Sequence, residues 1–228
     1  MAIAPPLSYV VLKTRKQPGL GGKWDSPDRV HAEELELSCF TEESTFRPKT
    51  DLKLLYDEHN LYGMFRVHDQ YVVCRESEYQ ADVTRDACVA AYLQPDPDSG
   101  YLALEMNCCG TLRARYFEEA SLEKGALPGK ITSLPWKDGY KIRIYTSQFG
   151  LITTENEASM GWQLEFVIPF SVFEQYTGLR YPLREHPWLA NFYKCTKESS
   201  HPHRASWAPL YNGISFHQPE CFAPLYFS

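Results

Sequence analysis

From Asp51 onward, apolar and polar positions alternate with a period of two. Leu52, Leu54 and Tyr56 interleave with Lys53 and Leu55, and then Leu61, Gly63, Phe65 and Val67 interleave with Tyr62, Met64, Arg66 and His68. The two runs flank Asp57-Glu58-His59-Asn60, so this stretch predicts a β-hairpin with a four-residue loop. Residues 88–93 predict a further strand, stopped by Pro95, Pro97 and Gly100. Residues 101–108 divide into two faces. Leu102, Leu104, Met106 and Cys108 lie on one, and Tyr101, Ala103, Glu105 and Asn107 on the other. Shorter strands are predicted at 111–116, 141–145, 162–168, 189–194 and 225–227. In the third of these, Trp162, Leu164, Phe166 and Ile168 share a face, and Pro169 ends the run. Residues 171–176 predict one or two helical turns. Residues 118–135, with Gly125, Pro128, Gly129 and Pro135, are turn-rich.

Many short strands separated by turn signals, without helix–strand alternation, predict an all-β fold of the sandwich or barrel kind. The expected layout is an irregular N-terminal lead-in over 1–23, with Pro5, Pro6 and Pro18, followed by one β domain over 24–228. A chain of 228 residues can bury a core without help from disulfides or metal.

Composition narrows the function. Aromatic residues make up 14% of the chain, suited both to strands and to stacking on flat ligands. The formal net charge of −6, without a basic cluster beyond Lys13, Arg15 and Lys16, excludes a nucleic-acid binder as the leading reading. No apolar run reaches membrane-spanning length. The N-terminus has neither a basic segment nor a long apolar one, as expected of a cytoplasmic start or of a chain whose export signal has been removed. The seven cysteines, Cys39, Cys74, Cys88, Cys108, Cys109, Cys195 and Cys221, are odd in number and contain no CxxC. A zinc ribbon is therefore not expected, and most read as small buried hydrophobes.

The hairpin Leu54-Leu55-Tyr56-Asp57-Glu58-His59-Asn60-Leu61-Tyr62 resembles the Asp-Glu-x-x-Leu-Tyr hairpin of family 9 carbohydrate-binding modules. Other segments match the family in order: Arg85-Asp86-Ala87-Cys88-Val89, Leu104-Glu105-Met106-Asn107, and Trp162 to Phe170 with its Trp-x-x-Glu-x-x-Ile-Pro pattern. The tail follows with Ser206-Trp207-Ala208-Pro209 and Phe216 to Phe222. The resemblance covers roughly residues 24–228. It implies a two-sheet antiparallel β-sandwich of the DOMON-like, jelly-roll type and a non-catalytic glycan-recognition domain linked to bacterial polysaccharide degradation. The implied partner is an oligosaccharide or a polysaccharide end, the implied location is periplasmic or extracellular, and a structural calcium ion is implied as well. Sugar-binding members clamp a terminal sugar between two tryptophans. Those positions align near Val83 and near Phe216, and the family's polar strand positions fall on Glu105 and Asn107.

The candidate ligand-binding residues are accordingly Glu105, Asn107, Arg113, Phe216 and His217. Carboxylate and amide groups suit sugar hydroxyls, which both donate and accept. A solvated sheet face is the plainer reading of Glu105 and Asn107, and a cross-strand partner for Glu105 is the plainer reading of Arg113. Phe216 could stack on a sugar or merely close the end of the sandwich, and Trp207 reads as core. His201-Pro202-His203 could bind a metal but reads better as a surface turn. Asp96 and Asp98 offer oxygen ligands for calcium, with an ordinary acidic turn as the plainer reading. No catalytic motif stands out, so a carbohydrate hydrolase or lyase would have to draw on Asp69, Asp86 and Glu105. A haem domain would need ligands such as Met64, Met106 or His68.

Overall fold

A computed structural model describes residues 7–118, 129–179, 186–211 and 215–228. In chain order the strands are β1 (Tyr9–Lys13), β2 (Leu35–Glu36), β3 (Cys39–Phe40), β4 (Lys49–Tyr56), β5 (Asn60–Asp69), β6 (Val72–Cys74), β7 (Cys88–Gln94) and β8 (Tyr101–Asn107). They continue with β9 (Leu112–Phe117), β10 (Ile131–Ser133), β11 (Arg143–Thr146), β12 (Ile152–Asn156), β13 (Met160–Pro169), β14 (Trp188–Thr196), β15 (His203–Ser206) and β16 (Ala223–Phe227). Two short helices, α1 (Trp136–Gly139) and α2 (Phe170–Thr177), and a 3-10 turn at Val83–Arg85 complete the functional part of the frame.

Fourteen of the strands make two facing sheets, and β6 pairs with β12 in a separate two-stranded sheet. The larger runs β10-β9-β8-β7-β14-β16-β1, with β15 pairing β14 and β3 pairing β15, and the smaller runs β1-β4-β5-β13-β11, with β2 on β4. Residues 9–11 of β1 pair with β16, and Leu12 and Lys13 pair with β4, so this one strand closes both sheets along an edge. Both of its pairings are parallel, whereas the other ladders are antiparallel. The expected irregular lead-in thus contains a strand; its apolar Tyr9-Val10-Val11-Leu12 gains partners only from segments far along the chain. Its Pro5 and Pro6, and the Gly125 and Pro128 of the predicted turn-rich region, lie outside the described residues.

Alternation decides what the sandwich buries. Leu52, Leu54, Phe65, Val67, Leu164 and Phe166 of the smaller sheet meet Val89, Ala91, Leu102, Leu104, Ala190 and Phe192 of the larger in a single core. The hairpin is tighter than predicted: Asp57 donates its N–H to the Asn60 carbonyl at 3.1 Å, and its Oδ1 accepts the His59 and Asn60 N–H groups at 2.8 Å each. After β13, Pro169 cannot extend a ladder, and the chain turns into α2, which buries Phe170, Val172 and Phe173 and stops at Gly178 with φ +70°.

The outer faces differ, and this locates the site. On the smaller sheet, residues between β1 and β2 cover the strands. Trp24 is buried there under the Lys53 and Arg66 cations, 4.7 and 4.2 Å from its ring centroid, and Arg29 pairs with Glu165 at 2.5 Å. The outer face of the larger sheet instead carries Tyr92, Tyr101, Ala103, Phe117 and Tyr193, with the half-buried Phe216 packed against them. No helix among the described residues is long and apolar enough to cross a membrane.

Candidate carbohydrate-binding site

Glu105 lies in the middle of this outer face with its side chain only 2% exposed. Arg113 is its direct cross-strand partner on β9, and Arg115 lies two residues further along the same face. Glu105 Oε2 accepts from Arg113 Nε at 2.5 Å and from an Arg115 Nη at 3.1 Å, and its Oε1 accepts the Tyr92 hydroxyl at 2.8 Å. Burial alone would raise the Glu105 carboxyl. The Arg113 hydrogen bond and the charges of Arg115 and Arg113 outweigh it and hold the group below its ordinary range.

Arg113 then reaches outward. Its Nη1 donates to Asp82 Oδ1 at 2.6 Å; Asp82 also takes the Thr84 hydroxyl at 2.6 Å and lies 3.6 Å from Lys197 Nζ. Asp82 and Lys197 are both more than two-fifths exposed. The result is a line of charges from a buried carboxylate to a solvent-facing rim, each fixed by the one beneath it. Arg115 Nε, by contrast, is buried without a hydrogen-bond partner among the described residues.

Phe216 and His217 close the other side. The Phe216 ring stacks on Tyr193, with centroids 4.2 Å apart and planes at 22°, and the Tyr193 hydroxyl holds the Phe216 carbonyl at 2.9 Å. Phe216 also packs on a small cluster of Val83, Cys88 and Cys195, so the two positions matching the family's clamp do come together. Val83 is fully buried and offers no ring. His217 Nδ1 lies 3.0 Å from the Tyr101 hydroxyl, and its ring rests on Phe117 at 4.3 Å. Burial and then the Arg115 charge push its pKa down to about 4, so it is neutral near pH 7.

Asn107 takes a different part from the one expected. It is fully buried; Nδ2 donates to the Glu76 carbonyl at 2.8 Å and to Asp86 Oδ2 at 2.9 Å, and Oδ1 accepts the Thr111 N–H at 2.9 Å. Three of its four hydrogen-bonding positions are spent on bracing the turn after β8. Four residues of the site were not anticipated. Arg115 shares the alternation of Arg113 and could have been found that way. Tyr92, Asp82 and Lys197 carry no comparable local signal.

The remaining candidates disperse. Asp69 is paired with Lys194 at 3.1 Å, and Asp86 accepts the N–H groups of Arg75 and Glu76 at 2.9 Å each, so with Glu105 they form three separate networks. Met106 faces the core between the sheets, whereas His68 lies exposed on β5, and Met64 alternates with the core-facing Phe65. His203 is buried, 2.9 Å from Lys194 Nζ, while His201 stacks on Tyr71 at 3.7 Å, so the two do not converge. Asp96 Oδ1 accepts the Asp98 N–H at 2.8 Å in an exposed turn. Trp207 is core, 6% exposed.

A concavity lies away from these residues, none of which lines it. It has a volume of about 870 Å³ and is lined by Tyr79, Cys109, Trp136 and Tyr140 among others. Trp136 and Tyr140 are 62% and 75% exposed.

The model of the carbohydrate-binding family 9 matches residues 27–227. Among solved structures, the chain is similar to a candidate carbohydrate-binding protein from Bacteroides uniformis, with 23% identity, a TM-score of 0.82, and coverage of 98% of this chain and all of that one. It is also similar to a family 9 module from Caldicellulosiruptor kristjanssonii solved with glucose, at 14% identity, TM-score 0.63, and 96% and 95% coverage. The structure of a family 9 module from the same organism with cellotriose aligns at 14% identity and TM-score 0.62, covering 97% and 94%. No curated protein matches the sequence. With nearly its whole length matched by the family model, the chain belongs to carbohydrate-binding family 9.

Proposed function

We propose that this chain is a non-catalytic carbohydrate-binding module whose sugar rests on the outer face of the larger sheet, against Phe216 and the rim of Asp82, Arg113 and Lys197. The observation that carries the reading is the Glu105–Arg113–Asp82 chain of hydrogen bonds, beside a half-buried ring that is itself stacked from behind. A ring held flat suits the apolar face of a pyranose. Charged groups with fixed positions suit its hydroxyls, because little freedom is lost on binding. Glucose and cellotriose, seen in the Caldicellulosiruptor modules, are the first ligands to consider. Among the described residues only one platform ring stands here, so the ligand is a chain end or short oligosaccharide held from one side rather than clamped. The two-sheet arrangement supports placing the domain in the DOMON-like superfamily, and a role in bacterial polysaccharide degradation fits the ligand class.

Calorimetric titration with glucose, cellotriose and a panel of plant and host glycans tests the reading. Saturable binding to one class, lost in Phe216→Ala, is the expected result. Absence of binding across the panel overturns it. Release of sugar from a polysaccharide panel, abolished by Glu105→Gln, would replace it with a catalytic reading.

A further inference from the structure

Cys74 meets the adjacent pair Cys108 and Cys109, more than thirty residues further along the chain, beside the concavity of Trp136 and Tyr140. Cys74 ends β6, where it pairs with Ile152 of β12, and Cys108 and Cys109 form the turn that follows β8. Their three sulfur atoms all lie within 4.8 Å of one another. All three are free thiols. The turn that presents two of them is fixed from several sides. Cys108 donates its N–H to the Ala87 carbonyl at 2.8 Å, Thr146 caps the Cys108 carbonyl, and Gly110, with φ +90°, returns its N–H to Asn107 at 2.9 Å. The Asn107 side chain braces the same turn against Asp86. This order gives the buried Asn107 a purpose that the sugar site does not.

We propose that Cys74, Cys108 and Cys109 form a three-sulfur site for a single thiophilic metal ion of the Zn²⁺ and Cu⁺ class. Zinc–sulfur bonds of about 2.3 Å set three sulfurs around one ion about 4 Å apart, a spacing these side chains meet with little movement. Three soft sulfur donors with no imidazole or carboxylate among them select this class over calcium or magnesium. Cys74 and Cys108 are buried, while Cys109 is half-buried and lines the concavity with Trp136 and Tyr140. An ion can therefore enter from that side, and Cys109 Sγ, which donates to the Gly150 carbonyl at 2.9 Å, gives up that proton on binding. On binding, the thiols release protons to solvent and no electron is transferred. The buried members would otherwise be ordinary core thiols; it is their convergence on an accessible third sulfur that marks a site.

The test uses the full chain, reduced, metal-free and handled anaerobically. Zn²⁺, and separately Cu⁺, is titrated against a chromophoric chelator, with native mass spectrometry counting the ions. One ion per chain is expected. Cys109→Ser should weaken it by more than the 10–100-fold typical of losing an outer-shell partner. Cys39→Ser and Cys221→Ser, at the other partly exposed thiols, should bind as the parent does. A readout on the parent alone guards against misfolded variants: Zn²⁺ or Cu⁺ should protect the Cys108–Cys109 peptide, and not Cys39, from alkylation. Binding of neither ion, binding unchanged by Cys109→Ser in a folded variant, or a disulfide among the three sulfurs that persists with metal present would each overturn the proposal.

Discussion

Lys194 and Asp69 meet at the edge of the core, with Lys194 Nζ 3.1 Å from Asp69 Oδ2 and both side chains essentially unexposed. Neither charge is left with the other alone. Asp69 also accepts the Trp162 indole N–H at 3.2 Å and the Gln70 N–H at 2.9 Å, and the ammonium donates to His203 Nε2 at 2.9 Å. The pair ties β5, β13, β14 and β15 together, and neither partner can reach bulk water if the other is lost. Asp69→Asn and Lys194→Met should each destabilise the fold by about 3–5 kcal/mol, because each leaves a buried group uncompensated. Asp69→Asn combined with Lys194→Met should cost clearly less than the sum. Urea unfolding of the three variants checks this; additive losses would show that the two side chains act independently.

Two buried histidines make the fold acid-sensitive, His203 in this network and His217 beside Glu105 and Arg115. Burial and then the Lys194 charge push His203 down to about 3, and burial and the Arg115 charge push His217 down to about 4. In the unfolded chain both titrate near pH 6.5. Below that value the unfolded state takes up protons that the folded state refuses, so stability is complete above about pH 6.5 and falls as the pH drops. The slope is about 1.4 kcal/mol per pH unit for each histidine, in a window above the carboxylates. Urea midpoints at pH 7.5, 6 and 5 should fall steadily, and His203→Phe should flatten the trend. A midpoint that holds between pH 7.5 and 5 would contradict the assignment.

Much of the fold was legible because alternation is local. β4, β5, β8 and β13 carry the strict period that separates a core face from an outer one, and they emerge within two or three residues of their predicted ends. β1 was not, because a short apolar run reads as a strand only once β16 and β4, distant in sequence, lie on either side of it. β12, with Ile152-Thr153-Thr154-Glu155-Asn156, has no apolar face to announce it. The candidate site divides in the same way. Glu105 and Arg113 face each other across a predicted strand pair, so their salt bridge could be foreseen. Asp82 enters from a 3-10 turn, and Cys74 reaches Cys108 only through the closure of the sandwich, which no spacing rule encodes.

Close packing across the β5–β13 ladder sets another expectation. Gly63 stands opposite Phe166, and a Cβ at Gly63 would fall 2.0 Å from the Phe166 ring. The ring occupies the space of the absent side chain and belongs to the core. Gly63→Ala must displace it and should cost about 1–3 kcal/mol. Gly63→Ala combined with Phe166→Leu should recover part of the loss. Thermal unfolding of the single and double variants decides it, and a Gly63→Ala variant as stable as the parent would mean that the ring moves freely.

Phe216 and Arg113 should separate binding from stability. Phe216 is half-buried and packs on the outer-face clusters rather than on the core between the sheets, so Phe216→Ala should remove most sugar affinity at a smaller cost to the fold. Arg113 has two tasks: it neutralises the buried Glu105 and it orients Asp82 at the rim. Lysine cannot serve both, because a single ammonium lacks the planar fork. Arg113→Lys should therefore weaken sugar binding and also cost about 1–3 kcal/mol of stability. The loss stays in that range because Arg115 keeps its own bond to Glu105 at 3.1 Å. Titration calorimetry and urea unfolding on the same preparations measure both effects. If Arg113→Lys lowers stability and leaves the sugar affinity intact, the rim is structural and the sugar lies elsewhere, with the exposed Trp136 and Tyr140 as the next rings to replace.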